Sequence, residues 1–201
     1  MPAPDWFAEL LRGDVNATQI EQLYHHYELL IRWNHRMNLT TVEPGPEMVV
    51  RHYRESLFFA SHLPAERADI SVLDFGSGAG FPGVPLAVAK PSWRVTLVES
   101  NRRKAVFLRE SSRHLANVKV VAERMESLDL RADWLVARAV DPRQVLHNIP
   151  RLAPSVGLLI GEADFSAIRA EFQIAWNEPI RLPWGDRRLC VYGSMFHVKH
   201  P

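Results

Sequence analysis

From residue 70 onward the chain alternates short, nearly unbroken apolar runs with helix-like stretches, and that rhythm leaves few architectures open. The runs ISVLDF (70–75), RVTLVES (94–100), VKVV (118–121), DWLVARA (133–139) and GLLIGEA (157–163) are β-rich, as expected of parallel strands covered on both faces. Between them lie FPGVPLAVAK (81–90), RRKAVFLRESSRHL (102–115) and PRQVLHNIPRLA (142–153), which have helical character. The pattern predicts an α/β doubly wound sheet that binds ligands at the carboxyl ends of its strands. Beyond Ile174, EPIRLPWGD (178–186) and RRLCVYGSMFHV (187–198), joined through Pro-Trp-Gly-Asp, predict a terminal antiparallel pair.

Ahead of this region the periodicity is helical. In ATQIEQLYHHYELLIRWNHRMNL (17–39), Ile20, Leu23, Tyr27, Leu30, Ile31 and Trp33 or Asn34 recur at three- and four-residue intervals, with Thr18 as cap and Glu21 three positions on. A second helix is expected over PEMVVRHYRESLFFASHL (46–63), after the turn residues TVEPGP. These helices read as a cap or lid, residues 1–66, on a core of residues 67–201, the two forming one integrated unit of 201 residues.

Cys190 is the sole cysteine, which excludes an intrachain disulfide and a thiolate zinc site and fits a reducing cytoplasm. The nine histidines lack metal-ligand spacing, so no metal is expected. No segment has the length of a membrane span, and the N-terminus lacks the form of an export signal. The net charge is only +1, yet residues 1–69 carry 6 Lys/Arg against 10 Asp/Glu, while residues 90–151 carry 13 against 7. An anionic partner would meet that basic middle, unless it is merely a solvated helix face.

The chemistry concentrates in VLDFGSGAGFPGVPLAV (72–88). Gly76, Gly78 and Gly80 follow an apolar run, where bare backbone can turn sharply and approach a ligand. From Gly78 the letters also spell G-x-G-x-x-G, the dinucleotide fingerprint, so an NAD-dependent oxidoreductase stays open. Pro82 and Pro85 interrupt that turn, however, and Asp74 stands two residues before the first glycine. An acid there repels a pyrophosphate but suits a ligand bearing an ammonium group, such as S-adenosylmethionine. Glu99 ends the second predicted strand, where a carboxylate can accept hydrogen bonds from ribose hydroxyls or simply cap the next helix.

Further segments fall into order: WNHRMNLT (33–40), RHYRESL (51–57), LDFGSGAGFPGVPLA (73–87), VTLVESNRRKAVFLRE (95–110), RME (124–126) and ARAV (137–140). In these the chain resembles the RsmG family, also called glucose-inhibited division protein B, which methylates a guanine at N7 in bacterial small-subunit ribosomal RNA. The resemblance implies a class I, Rossmann-like methyltransferase fold, with a central mostly parallel seven-stranded sheet whose last strand is antiparallel. It also implies S-adenosyl-L-methionine as cofactor and 16S ribosomal RNA, or the small-subunit particle, as partner of a monomer.

By the same resemblance Gly76 and Phe81 line the cofactor pocket, Met125 and Glu126 contact the adenine end, Glu99 matches an acidic pocket position, and Arg138 sits at the reactive side. With Asp74 and Gly78 from the loop, these form the expected cofactor set, and Arg138 is the expected catalytic residue. Two positions depart from the family pattern: RME stands for R-A-E, and Gly161-Glu162 for Lys-Gly.

Guanine N7 carries a lone pair and no proton, so its methylation needs alignment and a tolerant electrostatic setting rather than a general base. Cys190 lies outside the expected active loops, and ARAVDPR replaces the Asn/Asp-Pro-Pro-aromatic stretch that accompanies methylation of exocyclic amines. Arg51, His52, Arg102, Arg103 and Lys104, with Arg54, Arg109 and Arg113, are the expected RNA contacts. An RNA-binding assembly protein that kept this fold without transfer activity is a further alternative.

Overall fold

The rhythm beyond residue 70 folds as its periodicity requires. In the computed structural model, which describes residues 2–184 and 187–195, five parallel strands form the centre of the sheet: β1 (Ser71–Phe75), β2 (Arg94–Val98), β3 (Val118–Val121), β4 (Trp134–Arg138) and β5 (Ser155–Gly161). Beyond β5 come β6 (Ile174–Trp176), β7 (Ile180–Arg181) and β8 (Arg188–Met195), and the order across the sheet is β3-β2-β1-β4-β5-β8-β6, with β7 also on β8. The last strand, β8, runs antiparallel to β5. Eight strands thus fill the seven expected positions, because β6 and β7 pair in succession with the same edge of β8. They separate at Glu178-Pro179, where proline has no N–H to offer the ladder. The expected turn residues Gly185 and Asp186, and the stretch Phe196–Val198, lie outside the described residues.

Side chains alternate across the sheet and divide the interior in two. Val72, Val95, Leu97, Trp134, Val136, Leu159, Cys190 and Tyr192 face one cluster, while Leu73, Val98, Leu135, Ala137, Leu158, Ile160 and Val191 face the other. The second cluster is closed by α7 (Pro142–Leu152) and α8 (Glu162–Glu171), through Val145, Ile149, Phe165 and Ile168. The first is closed by α5 (Gly83–Ala89) and α6 (Arg102–Ser112).

The N-terminal helices join that first cluster: α1 (Asp5–Leu10), α2 (Ala17–Met37), the single turn α3 (Pro46–Met48), a π-helical stretch Val49–Arg54 and α4 (Glu55–His62). Phe7, Leu23, Leu30, Tyr53 and Phe59 are fully buried against the same side chains that cover β1 and β2. Gly157 shows how closely α4 seats on the sheet, since a Cβ there would stand 2.7 Å from Phe59 Cζ.

The cap of α2 corrects the reading from sequence. Asn16, not Thr18, accepts from Gln19 N at 3.0 Å, and Gln19 Oε1 in turn accepts from Asn16 N at 2.9 Å. Glu21 instead accepts the backbone N–H of Ala3. At the other end Asn38 closes the helix in the left-handed region, with φ 48°.

Candidate active site

The strand order reverses between β1 and β4, so the carboxyl ends of these two strands open a crevice. The glycine loop enters it from β1. Its conformation needs glycine at Gly76, where φ is 65° and a Cβ would lie 2.8 Å from Val140 Cγ2. Ser77 straps the loop down: its N–H donates to Val98 O at 3.1 Å and its hydroxyl to Asp74 O at 2.9 Å.

Asp74 does not face the crevice as its charge had led us to expect. Its side chain is fully buried beneath the loop, where Oδ2 accepts the Gly83 N–H at 3.1 Å and Oδ1 has no partner among the described residues. The fit demands glycine at 83, since a Cβ there would stand 2.5 Å from Asp74 Oδ2 and 2.3 Å from Leu97 Cδ2. Asp74 thereby occupies the amino end of α5, the place a pyrophosphate would need in the dinucleotide reading. Burial pushes its carboxyl up to about 7, against the opposing hydrogen bond from Gly83.

That shift has a testable consequence. Between the ordinary carboxyl range and about pH 7 the folded chain holds a proton on Asp74 that the unfolded chain has lost, so stability falls as pH rises through that window. Asp74→Asn, which keeps an acceptor for Gly83, is expected to raise the melting temperature at pH 8 by ~5 °C or more while changing it little at pH 4. Thermal unfolding of both proteins across this range checks it; a difference that is constant with pH contradicts the shift.

Glu99 follows β2 and is mostly buried. Its Oε2 accepts Gly78 N at 3.0 Å and its Oε1 accepts Asn101 N at 2.8 Å, so the carboxylate is tied to the glycine loop and to the start of α6. Asn101, rather than Glu99, caps that helix through Arg103 N and Lys104 N.

Arg138 ends β4, and the next residue, Ala139, sits at φ 55°, a conformation that costs an L-residue on the order of 1 kcal/mol. The Arg138 guanidinium reaches the lid: Nη1 donates to His52 Nδ1 at 3.0 Å, and Nη2 to Arg51 O at 2.6 Å and to Glu55 Oε2 at 3.1 Å. Its partner acid is therefore Glu55, while Asp141 caps α7. Glu55, itself buried, also accepts from Arg188 Nη1 at 2.5 Å, at the start of β8. Burial lowers the Arg138 guanidinium to about 10, with Glu55 opposing, so it stays charged at neutral pH. The π-helical stretch carries Arg51 and His52 into these contacts, and a widened turn of this kind often marks a functional site.

A cavity of about 420 Å³ lies between loop and lid, lined by Gly76, Ser77, Gly78, Ala79 and Phe81 on one side, Asn38–Val42, Arg51 and His52 on another, and Lys104, Arg138, Ala139 and Arg188 at the rim. Gly76, Gly78, Phe81, Arg138, Arg51, His52 and Lys104 of the expected residues thus meet here. Four basic side chains and no carboxylate line it among the described residues. Met125 and Glu126 are not brought to it: Met125 is buried in the second cluster on a 3₁₀ turn, and Glu126 is exposed. Arg102 and Arg103 are exposed on the first turn of α6. Of the other expected RNA contacts, Arg54 pairs with Asp14 and Arg113 with Glu110. Cys190 is buried in β8 and burial pushes its thiol up to about 12, which rules out a thiolate at neutral pH.

The sequence reading missed Glu55, Arg188, Thr40 and His26. His26 is fully buried on α2, with Nδ1 2.7 Å from Tyr53 Oη and its ring edge-on to Phe81 at 5.4 Å. Its place three residues after Leu23 and four before Leu30 put it on the apolar face, a signal the periodicity contained.

Residues 19–160 match the family model GidB, described as rRNA small subunit methyltransferase G. A Ribosomal RNA small subunit methyltransferase G of Xanthomonas euvesicatoria pv. vesicatoria is 37% identical over 206 residues, covering 94% of this chain and 95% of that one. Another, from Dichelobacter nodosus, is 43% identical over 137 residues, 66% of this chain and 64% of that one. Among solved structures, a SAM dependent methyltransferase from Aquifex aeolicus superposes with a TM-score of 0.59 at 16% identity, over 76% of this chain and 94% of that one. A ribosomal protein L11 methylase from Lactobacillus delbrueckii subsp. bulgaricus gives 0.58 at 15% identity, over 73% and 79%. These two likenesses are of fold.

Proposed function

The chain belongs to the GidB family of rRNA small subunit methyltransferases, and from that premise we propose that its cavity uses S-adenosyl-L-methionine to methylate guanine N7 in a loop of 16S ribosomal RNA. The carrying observation is the cavity itself: bare glycine backbone at the β1–β4 switch point, faced by four basic side chains and by a histidine with both ring nitrogens engaged. Among the described residues such a site holds no free general base, and N7 needs none because its lone pair is already available.

The residues present fit the methyl donor. A Cβ at Gly78 would meet nothing nearer than Gly76 O at 3.7 Å, so unobstructed backbone faces the ligand space. Arg138, which lines the cavity, has a buried Nε without a partner among the described residues. When bound, the cofactor supplies an electrophilic methyl group. Gly76, Gly78 and Phe81 would hold it, and Glu99 would accept from its ribose. Arg138 would orient the acceptor or the cofactor carboxylate. Asp74 is a positioning residue that fixes the loop from beneath.

The RNA path is supported by a second cavity of about 620 Å³, lined by Arg32, Trp33, Arg36, Met37, Arg103 and Val106. It adjoins the first through the neighbouring residues Met37 and Asn38 on one side and Arg103 and Lys104 on the other. Arg102→Glu with Arg103→Glu is expected to lower kcat/KM on RNA by ~10-fold or more and to flatten its salt dependence, with affinity for S-adenosylhomocysteine retained. Equal activity across a salt series contradicts the path.

The cap at residues 1–66 belongs to this reading as the element that carries Arg51 and His52. The protein is taken as a cytoplasmic monomer. Among the described residues the exposed large hydrophobics are Trp6 and Val106 alone, and no helix is long and apolar enough to cross a membrane. Borohydride and aniline cleavage of 16S RNA, which breaks the strand at 7-methylguanosine, tests the reaction: a band present with the protein and lost on its deletion is expected. Labelled methyl incorporated at a position that resists this cleavage would move the acceptor elsewhere, and no incorporation would favour an assembly role.

A further inference from the structure

The segment WNHRMNLT lends Trp33, Arg36 and Met37 to the second cavity and Asn38, Leu39 and Thr40 to the first, but the proposed reaction gives the Thr40 side chain no role. Asn34 holds that residue by its backbone: Oδ1 accepts Thr40 N and Nδ2 donates to Thr40 O, both at 2.9 Å. Asn38 makes the left-handed exit from α2 that lets the chain turn back for this clamp. The clamp leaves the Thr40 side chain at the ligand space.

Hydrogen-bond direction around that side chain is fixed by elimination. A guanidinium can only donate, so His52 Nδ1, 3.0 Å from Arg138 Nη1, must be an acceptor. Burial, and then the Arg138 charge, drive His52 down to about 3, so its ring is neutral with its proton on Nε2. Nε2 lies 2.8 Å from Thr40 Oγ1 and therefore donates to it. The Val42 N–H donates to the same oxygen at 3.1 Å. A hydroxyl has two acceptor sites, and both are filled. Its own proton must point elsewhere, and among the described residues no acceptor takes it. Stacking of His52 on Phe81, at 4.8 Å and 27°, holds the ring plane that sets this arrangement.

We propose that Thr40 is a dedicated hydrogen-bond donor to an oxygen acceptor of the bound ligand, either O6 of the target guanine or the carboxylate of the methyl donor. The base alternative rests on the guanine reading above. A donor with no accepting capacity left would favour guanine, which presents O6, over adenine, which presents an amine at that position.

Thr40→Val and Thr40→Ser test it in the full-length protein. If the acceptor is the carboxylate, Thr40→Val weakens S-adenosylhomocysteine about tenfold and leaves 5′-methylthioadenosine, which lacks that group, unchanged. If it is the base, kcat/KM on an RNA fragment falls about tenfold, and replacing the target guanosine by 2-aminopurine riboside, which lacks O6 but keeps N7, causes no further loss in the variant although it does in the wild type. Thr40→Ser restores either behaviour. Equal losses on both members of each pair, or none, overturn the proposal, as does a nitrogen-15 spectrum that places the His52 proton on Nδ1. Mapping the methylated atom with wild-type protein first separates failure of the guanine reading, which leaves the carboxylate arm and the spectrum to decide.

Discussion

Arg138→Met is expected to abolish methyl transfer and, separately, to destabilise the fold by about 3 kcal/mol, the usual cost of breaking one half of a buried ion pair. Arg138 and Glu55 expose only 7% and 3% of their side chains, so the remaining carboxylate cannot be rescued by water. Arg188 stays on Glu55 and keeps the loss below that of a wholly orphaned charge. The catalytic loss has a different origin. Without the guanidinium, His52 Nδ1 and Arg51 O lose their donor, and the lid loses its anchor to β4. Arg138→Lys retains charge but not the fork, and is expected to recover part of the stability and little of the activity. Urea unfolding and methyl incorporation, measured on the same preparations, check both. A Met variant with wild-type stability would show that the pair is dispensable, and one with wild-type turnover would remove Arg138 from the reaction.

Glu99→Ala is expected to weaken S-adenosylhomocysteine by ~30–100-fold, well beyond its effect on folding. The carboxylate already accepts two backbone N–H groups, and bonds to a charged acceptor contribute about 1.5–3 kcal/mol each. Losing it frees Gly78, which lines the cavity, and removes the acceptor proposed for the ribose. Calorimetric titration, under conditions where circular dichroism shows the variant folded, gives the answer. An unchanged dissociation constant would leave Glu99 as a loop strut only.

What was legible in the sequence follows the range of the interactions. VKVV became β3 residue for residue, and the other four parallel strands lie within the apolar runs to one or two positions, because burial on both faces writes itself into consecutive residues. α8 went unread: EADFSAIRAE buries only Phe165 and Ile168, too few to declare a period. The cap of α2 was misplaced because Asn16–Gln19 and Thr18–Glu21 have the same spacing, and only the long-range contact of Glu21 with Ala3 separates them.

The glycine loop was found from spacing, since only glycine tolerates the backbone angles at Gly76 and the contact made by Gly83. Asp74 was singled out as a charge, but its burial by Gly83 and Leu97 gives it the properties of a structural acceptor with a raised pKa. Glu55, 83 residues from Arg138, carried no local signal.

By itself, then, the sequence determined the strand rhythm, the switch-point loop and the basic middle of the chain, since propensity, periodicity and charge reside in neighbouring residues. Only the tertiary structure decided which charges are paired, which carboxyl is desolvated and in which direction the Arg138–His52–Thr40 hydrogen bonds run. Dielectric environment and donor–acceptor choice depend on groups that meet solely when β4, α2 and the lid close around one cavity.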